Sequence, residues 1–415
     1  MSDAAAVALP PPPPRDVGSA VVAAAELLWP APARVEVTHR RAKVDAGRRV
    51  VRELLLAPDA THPRLVTPAN AHRAGAAIAS RRNGSGGLVG RIAGRSAAAL
   101  VRVGAADRLV SARLRVTAPA DARLDDIETK LSDLLGTRVI VGLHVGTARV
   151  NRKPVLHTVD EQGHTLAFVK VGHNDAARSL VRAEADTLRT LADSTLATVQ
   201  VPTVLAFTAW RDTELLVLSP LSGRAVHPAL RNVPLPAMRE LAAVHGITTE
   251  PLATGAFLAR LGQLVDGLRA ETTDRYRGAL RALRDVDVAT TFGAWHGDWH
   301  TFNMARLRAD RVAVWDWERF SAGVPVGFDA LHFLLQVLLQ ERGVGPQVAD
   351  QFLAQAEEFA VRSGALQPSA RAAVASYVAE IAGRYLALVE GPDGELLARR
   401  AHWTLGLLES CVARL

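Results

Sequence analysis

Trp295-His296-Gly297-Asp298-Trp299-His300-Thr301-Phe302-Asn303 is the stretch on which the reading of this 415-residue chain turns. It joins His-x-Asp to an Asn five residues beyond the Asp, and the interval has a mechanical sense. An Asp so placed can take the proton of an attacking hydroxyl, while the Asn reaches across the same loop to a metal ion. Eighteen residues after Asp298, the apolar run Val312-Ala313-Val314-Trp315 ends in Asp316-Trp317-Glu318. A hairpin turning near Ala309-Asp310 returns the chain to the same place. Magnesium prefers oxygen ligands and few protein groups, so Asn303 and Asp316 with phosphate and water suffice to hold it.

Lysine is scarce in this arginine-rich chain, occurring only as Lys43, Lys130, Lys153 and Lys170. Lys170 lies inside the apolar run Thr165–Val171, where a surface role is least expected. It reads as a phosphate-pairing lysine on a strand, held by a Glu of the following helix, and Glu184 is that candidate. The bland alternative is a strand-end lysine with its tip in water. His296 and His300 are the only histidines spaced i, i+4. They flank Gly297 in a loop rather than on a His-Glu-x-x-His helix, with no further His or Cys nearby, which argues against zinc. His296 reads as a brace for the loop; for His300, contact with substrate and a structural role stay equally open. Trp315 and Trp317 read as packing.

Working outward, Ala148–Thr158 and Arg138–Val145 predict two strands ahead of Thr165–Val171. A helix follows over about 176–192, then strands at 203–208 and 214–218 and the Pro/Gly-marked crossing Ser219-Pro220-Leu221-Ser222-Gly223. Beyond 225 the apolar spacing is almost wholly helical apart from the two motifs. Upstream, 49–56, 64–67 and 109–116 predict strands, 70–104 is helical in character, and 124–135 predicts a helix stopped by Gly136. The glycine cluster at 84–94 lacks the Lys-Ser/Thr of a phosphate-binding loop and reads as a connector. These patterns divide the chain into an Ala/Pro-rich disordered tail (1–18), a basic α+β extension (19–130), a sheet-rich lobe with its hinge (131–224) and a helical lobe carrying the loop (225–415).

Composition bounds the rest. The net charge of +7 arises in residues 1–135, with 20 Lys/Arg against 13 Asp/Glu, while the remainder is balanced at 29 each. A basic extension can meet nucleic acid or an anionic surface, yet neither a helix-turn-helix nor an aromatic–basic pattern appears, so a solvated arginine-rich surface is the preferred reading. One thiol, Cys411, allows no internal disulfide and suits a reducing cytoplasm. The apolar start lacks a basic region and is broken by Pro10–Pro14, unlike a signal peptide. No uncharged apolar run of about 18 residues predicts a membrane span.

With His296-Gly297-Asp298 and Asn303, Asp316-Trp317-Glu318, and Gly327-Phe328-Asp329-Ala330-Leu331, the chain resembles the aminoglycoside phosphotransferase and choline kinase family of small-molecule kinases. The recognisable landmarks span about 131–335. The resemblance implies an α+β, two-lobed protein-kinase-like fold, with an antiparallel-sheet N-lobe and a mostly helical C-lobe, to which the extension is extra. It implies Asp298 as catalytic base, Asn303 and Asp316 as magnesium ligands, and Lys170 on the phosphates of ATP or GTP. Asp329 would anchor the loop, and Leu218–Leu221, including Ser219 and Leu221, would face the purine. The phosphate hairpin offers only Gly142 and Gly146, fewer glycines than a protein kinase has, and Trp-Glu after Asp316 also departs from protein kinases. The expected acceptor is a hydroxyl of an aminoglycoside-, sugar- or amino-alcohol-like metabolite. Asp266, Glu271 and Asp274 could draw a cationic one, although a solvated helix face is the simpler reading. A nucleotide-binding pseudokinase or scaffold, and a nucleic-acid-associated protein acting through the extension, are the alternatives.

Overall fold

Local sequence sets most element boundaries. Asn174 caps the helix Asp175–Ala192 by accepting from the Ala177 N–H at 2.8 Å, and Asp126 caps Ile127–Leu135 through Thr129 at 2.8 Å. The latter helix ends at Gly136 in the left-handed region, φ +66°. The computed structural model describes residues 17–40, 42–81, 88–144, 153–268, 270–389 and 394–415. Gly146 and Gly84–Gly87 lie outside them. The chain forms two units, one from the described residues within 1–83, 91–173 and 209–217, the other from those within 174–208 and 218–415 together with 88–90.

The first unit holds two sheets. In one, Arg34–His39, Ala112–Pro119, Arg48–Ala57 and Leu65–Pro68 are neighbours in that order, every pair antiparallel. Ala112–Pro119 is buried along nearly its whole length and still carries Arg113 and Arg115. Charges so placed need partners, and Glu53, in register with Arg115, and Asp107 supply them. In the other sheet Ile140–His144, Val155–Val159 and Thr165–Gly172 pair antiparallel in succession, with Thr213–Leu218 beyond. The helix His72–Arg81 packs toward both sheets, its Ala76 and Ala79 clustering with Leu55 of the first. Ala74 and Ile78 of the helix His72–Arg81 pack with Ile140 and Val159. Gly142 admits Ile78, whose Cγ2 would stand 2.6 Å from any Cβ there. Glu128 accepts from the Val141 N–H at 2.9 Å and pairs with Arg52, so one buried carboxylate ties the residues before 130 to the strands after it.

In the second unit, Ala289–Trp295 is the middle strand of three, between Thr248–Pro251 and Ser321–Pro325, antiparallel to both. Met304–Arg306 and Val312–Val314 form the expected hairpin, flanked by Arg224–Ala225 and, in parallel, by Val199–Gln200. Around them stand the helices Phe328–Arg342, Pro346–Arg362, Ala370–Val389 and Gly394–Val412. Gln367–Val389 has the length and composition of a membrane span, but 72% of its apolar window is buried. It also carries Arg371, Glu380 and Arg384, and it is a core helix of this unit. Its Gly383 lies against Tyr276, whose hydroxyl donates to Ala379 O at 3.0 Å.

The α+β expectation, with a sheet-rich part followed by a mostly helical one, matches these units. Several local readings differ, Thr248–Pro251 and Ser321–Pro325 among them as strands in a region read as helical. The first helix, Val17–Leu28, begins inside the stretch read as tail. Arg34–His39 is an edge strand with no buried residue; Val35 and Val37 alternate with polar neighbours over too short a run to have been read as a strand. Ala289–Trp295 is a strand in a region read as helical, because a buried strand has no period of two and Gly293 lets the Ala242 carbonyl approach to 2.3 Å from where a Cβ would sit.

Candidate active site

The central strand delivers its last side chain, Trp295, into the core and hands the chain to the His296–Asn303 loop. Gly297 makes the turn. Its φ is +84°, and a Cβ would stand 2.2 Å from Arg319 O, so only glycine fits. Three groups grip the backbone here. Asp329, at the start of Phe328–Arg342, accepts from the His296 N–H at 2.9 Å and the Gly297 N–H at 3.4 Å. Arg384 donates to Gly297 O at 2.9 Å, while its guanidinium lies over the Trp295 ring and is held by Glu380. His296 itself is fully buried, stacked edge-on to Trp317; its Nδ1 accepts from the Asp298 N–H at 3.2 Å and its Nε2 donates to Trp315 O at 3.0 Å. Burial pushes this imidazole down to about 4, so it is neutral. Burial pushes Asp329 up to about 7, against the lowering effect of its two N–H donors.

Asp298 projects from this rigid loop with 37% of its side chain exposed. Its Oδ1 receives His332 Nε2 at 3.2 Å, and its Oδ2 receives Asn303 Nδ2 at 3.1 Å with His300 Nε2 at 3.7 Å. Burial alone would raise its pKa; the hydrogen bonds from His300 and His332 outweigh that and hold it well below the usual carboxylate range. Asn303 gives its second N–H to Asp298 O at 3.0 Å. Both amide hydrogens thus face Asp298, and the carbonyl oxygen, the one ligating atom of that side chain, takes no part in those bonds.

Asp316 follows the strand Val312–Val314 in the left-handed conformation, φ +68°, which only a minority of non-glycine residues adopt. The twist gathers Asp316 with Glu184 and Glu318, one oxygen from each lying within 4.8 Å of the others. Glu184 is buried on Asp175–Ala192 and accepts from the Trp317 N–H at 3.3 Å. Three clustered carboxylates suit a hard divalent cation.

The remaining candidates sit as follows. Lys170 belongs to the first unit, in register with Val155 and only 4% exposed. Ser219 and Thr203 exchange two hydrogen bonds, Ser219 N to Thr203 O at 2.9 Å and Thr203 N to Ser219 Oγ at 2.8 Å. Leu221 packs with Ala305 and Ala313 of the hairpin. Gly146 lies outside the described residues. Asp266 pairs with exposed Arg277 at 2.9 Å. Trp315 and Trp317 are packing residues, Trp317 fully buried. Glu318, His332, Tyr377 and Arg384 were not singled out in sequence. His332 and Arg384 reach the loop from downstream helices, Tyr377 reaches it only through His332, and no short motif links them to it.

No family model and no curated protein matches the chain. Among solved structures it is similar to a thermostable mutant of an aminoglycoside phosphotransferase, at 15% identity and a TM-score of 0.46, covering 69% of this chain and 98% of that one. It is similar to a spectinomycin phosphotransferase in complex with ADP and spectinomycin, at 10% identity and a TM-score of 0.43, covering 68% and 98%. It is also similar to a macrolide 2'-phosphotransferase from Brachybacterium faecium, at 15% identity and a TM-score of 0.38, covering 67% and 95%.

Proposed function

We propose that this chain is a small-molecule kinase that moves the terminal phosphoryl group of ATP or GTP onto a hydroxyl of an aminoglycoside-, sugar- or amino-alcohol-like metabolite. The observation that carries the reading is the Asp298 carboxylate. It stands on a loop fixed at both peptide faces by Asp329 and Arg384, ionised, part-exposed and in contact with Asn303. A structural aspartate needs no such exposure, and a solvated one needs no such support.

Asp298 accepts the hydrogen bond of the acceptor hydroxyl and aims its oxygen at phosphorus. As the new O–P bond forms and the bridging O–P bond of the nucleotide breaks, the hydroxyl proton passes to the carboxylate. So weak a base takes the proton late, as a loose phosphoryl-transfer transition state allows. Asn303, through its carbonyl, and Asp316 would hold magnesium, with Glu184 and Glu318 adjoining; bound there, the ion neutralises phosphate charge and orients the group in flight. Lys170 and Gly146 are assigned to the phosphates, Glu184 to supporting Lys170, and Ser219 and Leu221 to the nucleotide base. The rate then comes mainly from placement and fixed charge.

Purified protein with magnesium and each nucleotide, run against aminoglycosides, sugars and amino alcohols, is expected to turn over with one acceptor class and stop on chelation. Turnover that persists with the metal removed would refute the reading. Magnesium-dependent nucleotide binding with no turnover for any acceptor would favour the pseudokinase instead.

A further inference from the structure

Phe328–Arg342 meets the catalytic loop twice. Asp329, in its first turn, takes the loop's backbone N–H groups. His332 follows three residues later, one turn along the same face, and its Nε2 lies 3.2 Å from Asp298 Oδ1. On the far side of the ring, Nδ1 lies 3.1 Å from the hydroxyl of Tyr377, on Ala370–Val389. His332 and Tyr377 are both buried, and their rings are walled by Trp295, Phe328 and Phe352. The ionisable groups facing His332 are Asp298, Tyr377, His300 and Arg384.

Hydrogen-bond chemistry permits one arrangement. An ionised carboxylate only accepts, so Nε2 carries the hydrogen. Burial lowers the imidazole below its ordinary value, so the ring is neutral and Nδ1 has a free lone pair. The phenol, pushed well above its usual range by burial, keeps its O–H and donates to that lone pair. Each donor then has an acceptor along Tyr377 O–H, His332 Nδ1, His332 Nε2–H and Asp298 Oδ1.

We propose that His332 is a positioning residue for Asp298: oriented by Tyr377, it donates to Oδ1, fixes the carboxylate in a single rotamer and leaves the lone pair of Oδ2 that does not take the Asn303 amide to the acceptor hydroxyl. This inference rests on the kinase reading. Its distinctive claim is that the base is aligned by a buried Tyr–His pair from two C-terminal helices, beyond the loop's own Asn303. A side chain that only filled space could be replaced by any ring of similar size. A positioning donor cannot, because a carboxylate free to rotate presents its oxygen wrongly, and small misplacements cost up to about a hundredfold in rate.

The test uses the full chain with magnesium–ATP and the acceptor found in the panel, or water where none is found. His332→Phe keeps the volume and removes the donor; kcat is expected to fall about tenfold to a hundredfold with the nucleotide KM unchanged. His332→Gln, whose amide nitrogen can occupy the Nε2 position, is expected to recover to within a few-fold of wild type. Tyr377→Phe, which leaves Asp298 and His332 in place, is expected to give a smaller fall in kcat. Long-range 1H–15N spectra provide an arm independent of turnover: His332 should be the neutral Nε2–H tautomer in wild type and mixed in Tyr377→Phe. Wild-type kcat in His332→Phe, or an Nδ1–H tautomer in wild type, would overturn the proposal. If instead Asp298→Asn leaves turnover intact, the kinase reading falls, and the tautomer alone then decides whether the buried pair exists as described.

Discussion

At the scale of single residues, Gly297 has no substitute. Gly297→Ala places a methyl against Arg319 O and forces an L-residue to φ +84°. It should destabilise the protein by about 1–3 kcal/mol in urea unfolding and lower turnover further than the stability loss explains. The two buried titrating groups beside it act on stability in opposite senses. His296 titrates near 4 when folded and near 6.5 when unfolded, so its contribution is lost as pH falls through that window. Asp329 is raised from 3.8 to about 7, so its contribution is lost as pH rises through that range. The two offset each other in the wild type. In Asp329→Asn only the histidine remains, and stability should fall as pH drops from 6.5 toward 4, by up to about 3 kcal/mol. In His296→Gln the slope should reverse. Unfolding midpoints at pH 7, 5.5 and 4.5 check both; equal slopes in the two variants would contradict these assignments.

At the scale of elements, much of the site was legible because its chemistry is local in sequence. The five-residue interval from Asp298 to Asn303 is a real contact, and the hairpin to Asp316 closes where the apolar run of 312–314 implied it. What was not legible comes from long-range packing. His332 lies 34 residues from Asp298, and Arg384 87 from Gly297, on helices whose apolar faces look like any core helix. Strand Ala289–Trp295 escaped notice because full burial removes alternation, and Glu318 because nothing in Asp-Trp-Glu foretells the left-handed Asp316 that folds it back. The carboxylate group of Glu184, Asp316 and Glu318 makes a prediction of its own. Asp316→Asn should weaken magnesium-dependent nucleotide binding at least tenfold while leaving nucleotide binding without magnesium within a few-fold of wild type. Calorimetry with and without magnesium reads both.

For the whole molecule, the basic extension is built into the first unit. Arg52, Arg113 and Arg115 answer internal carboxylates, and Arg48 and Arg49 donate to the backbone at Thr117 and Ala122. These arginines are engaged within the unit, and because their carboxylate partners lie in the same region the net charge excess is carried by its other basic residues. The buried Glu128 link has a measurable consequence. Glu128→Ala strands Arg52 and the Val141 N–H and should destabilise by about 3 kcal/mol. Hydrogen exchange should show both sheets of the unit losing protection together; loss confined to residues 34–119 would show the sheets to be independent.

The central claim, that Asp298 is the base of a phosphoryl transfer, is tested most directly by Asp298→Asn beside wild type, measuring magnesium-dependent nucleotide turnover and nucleotide affinity on the same preparations. The side chain keeps its shape, so affinity should stay within a few-fold while turnover falls about 10²–10⁴-fold. Turnover that survives the substitution would contradict the account.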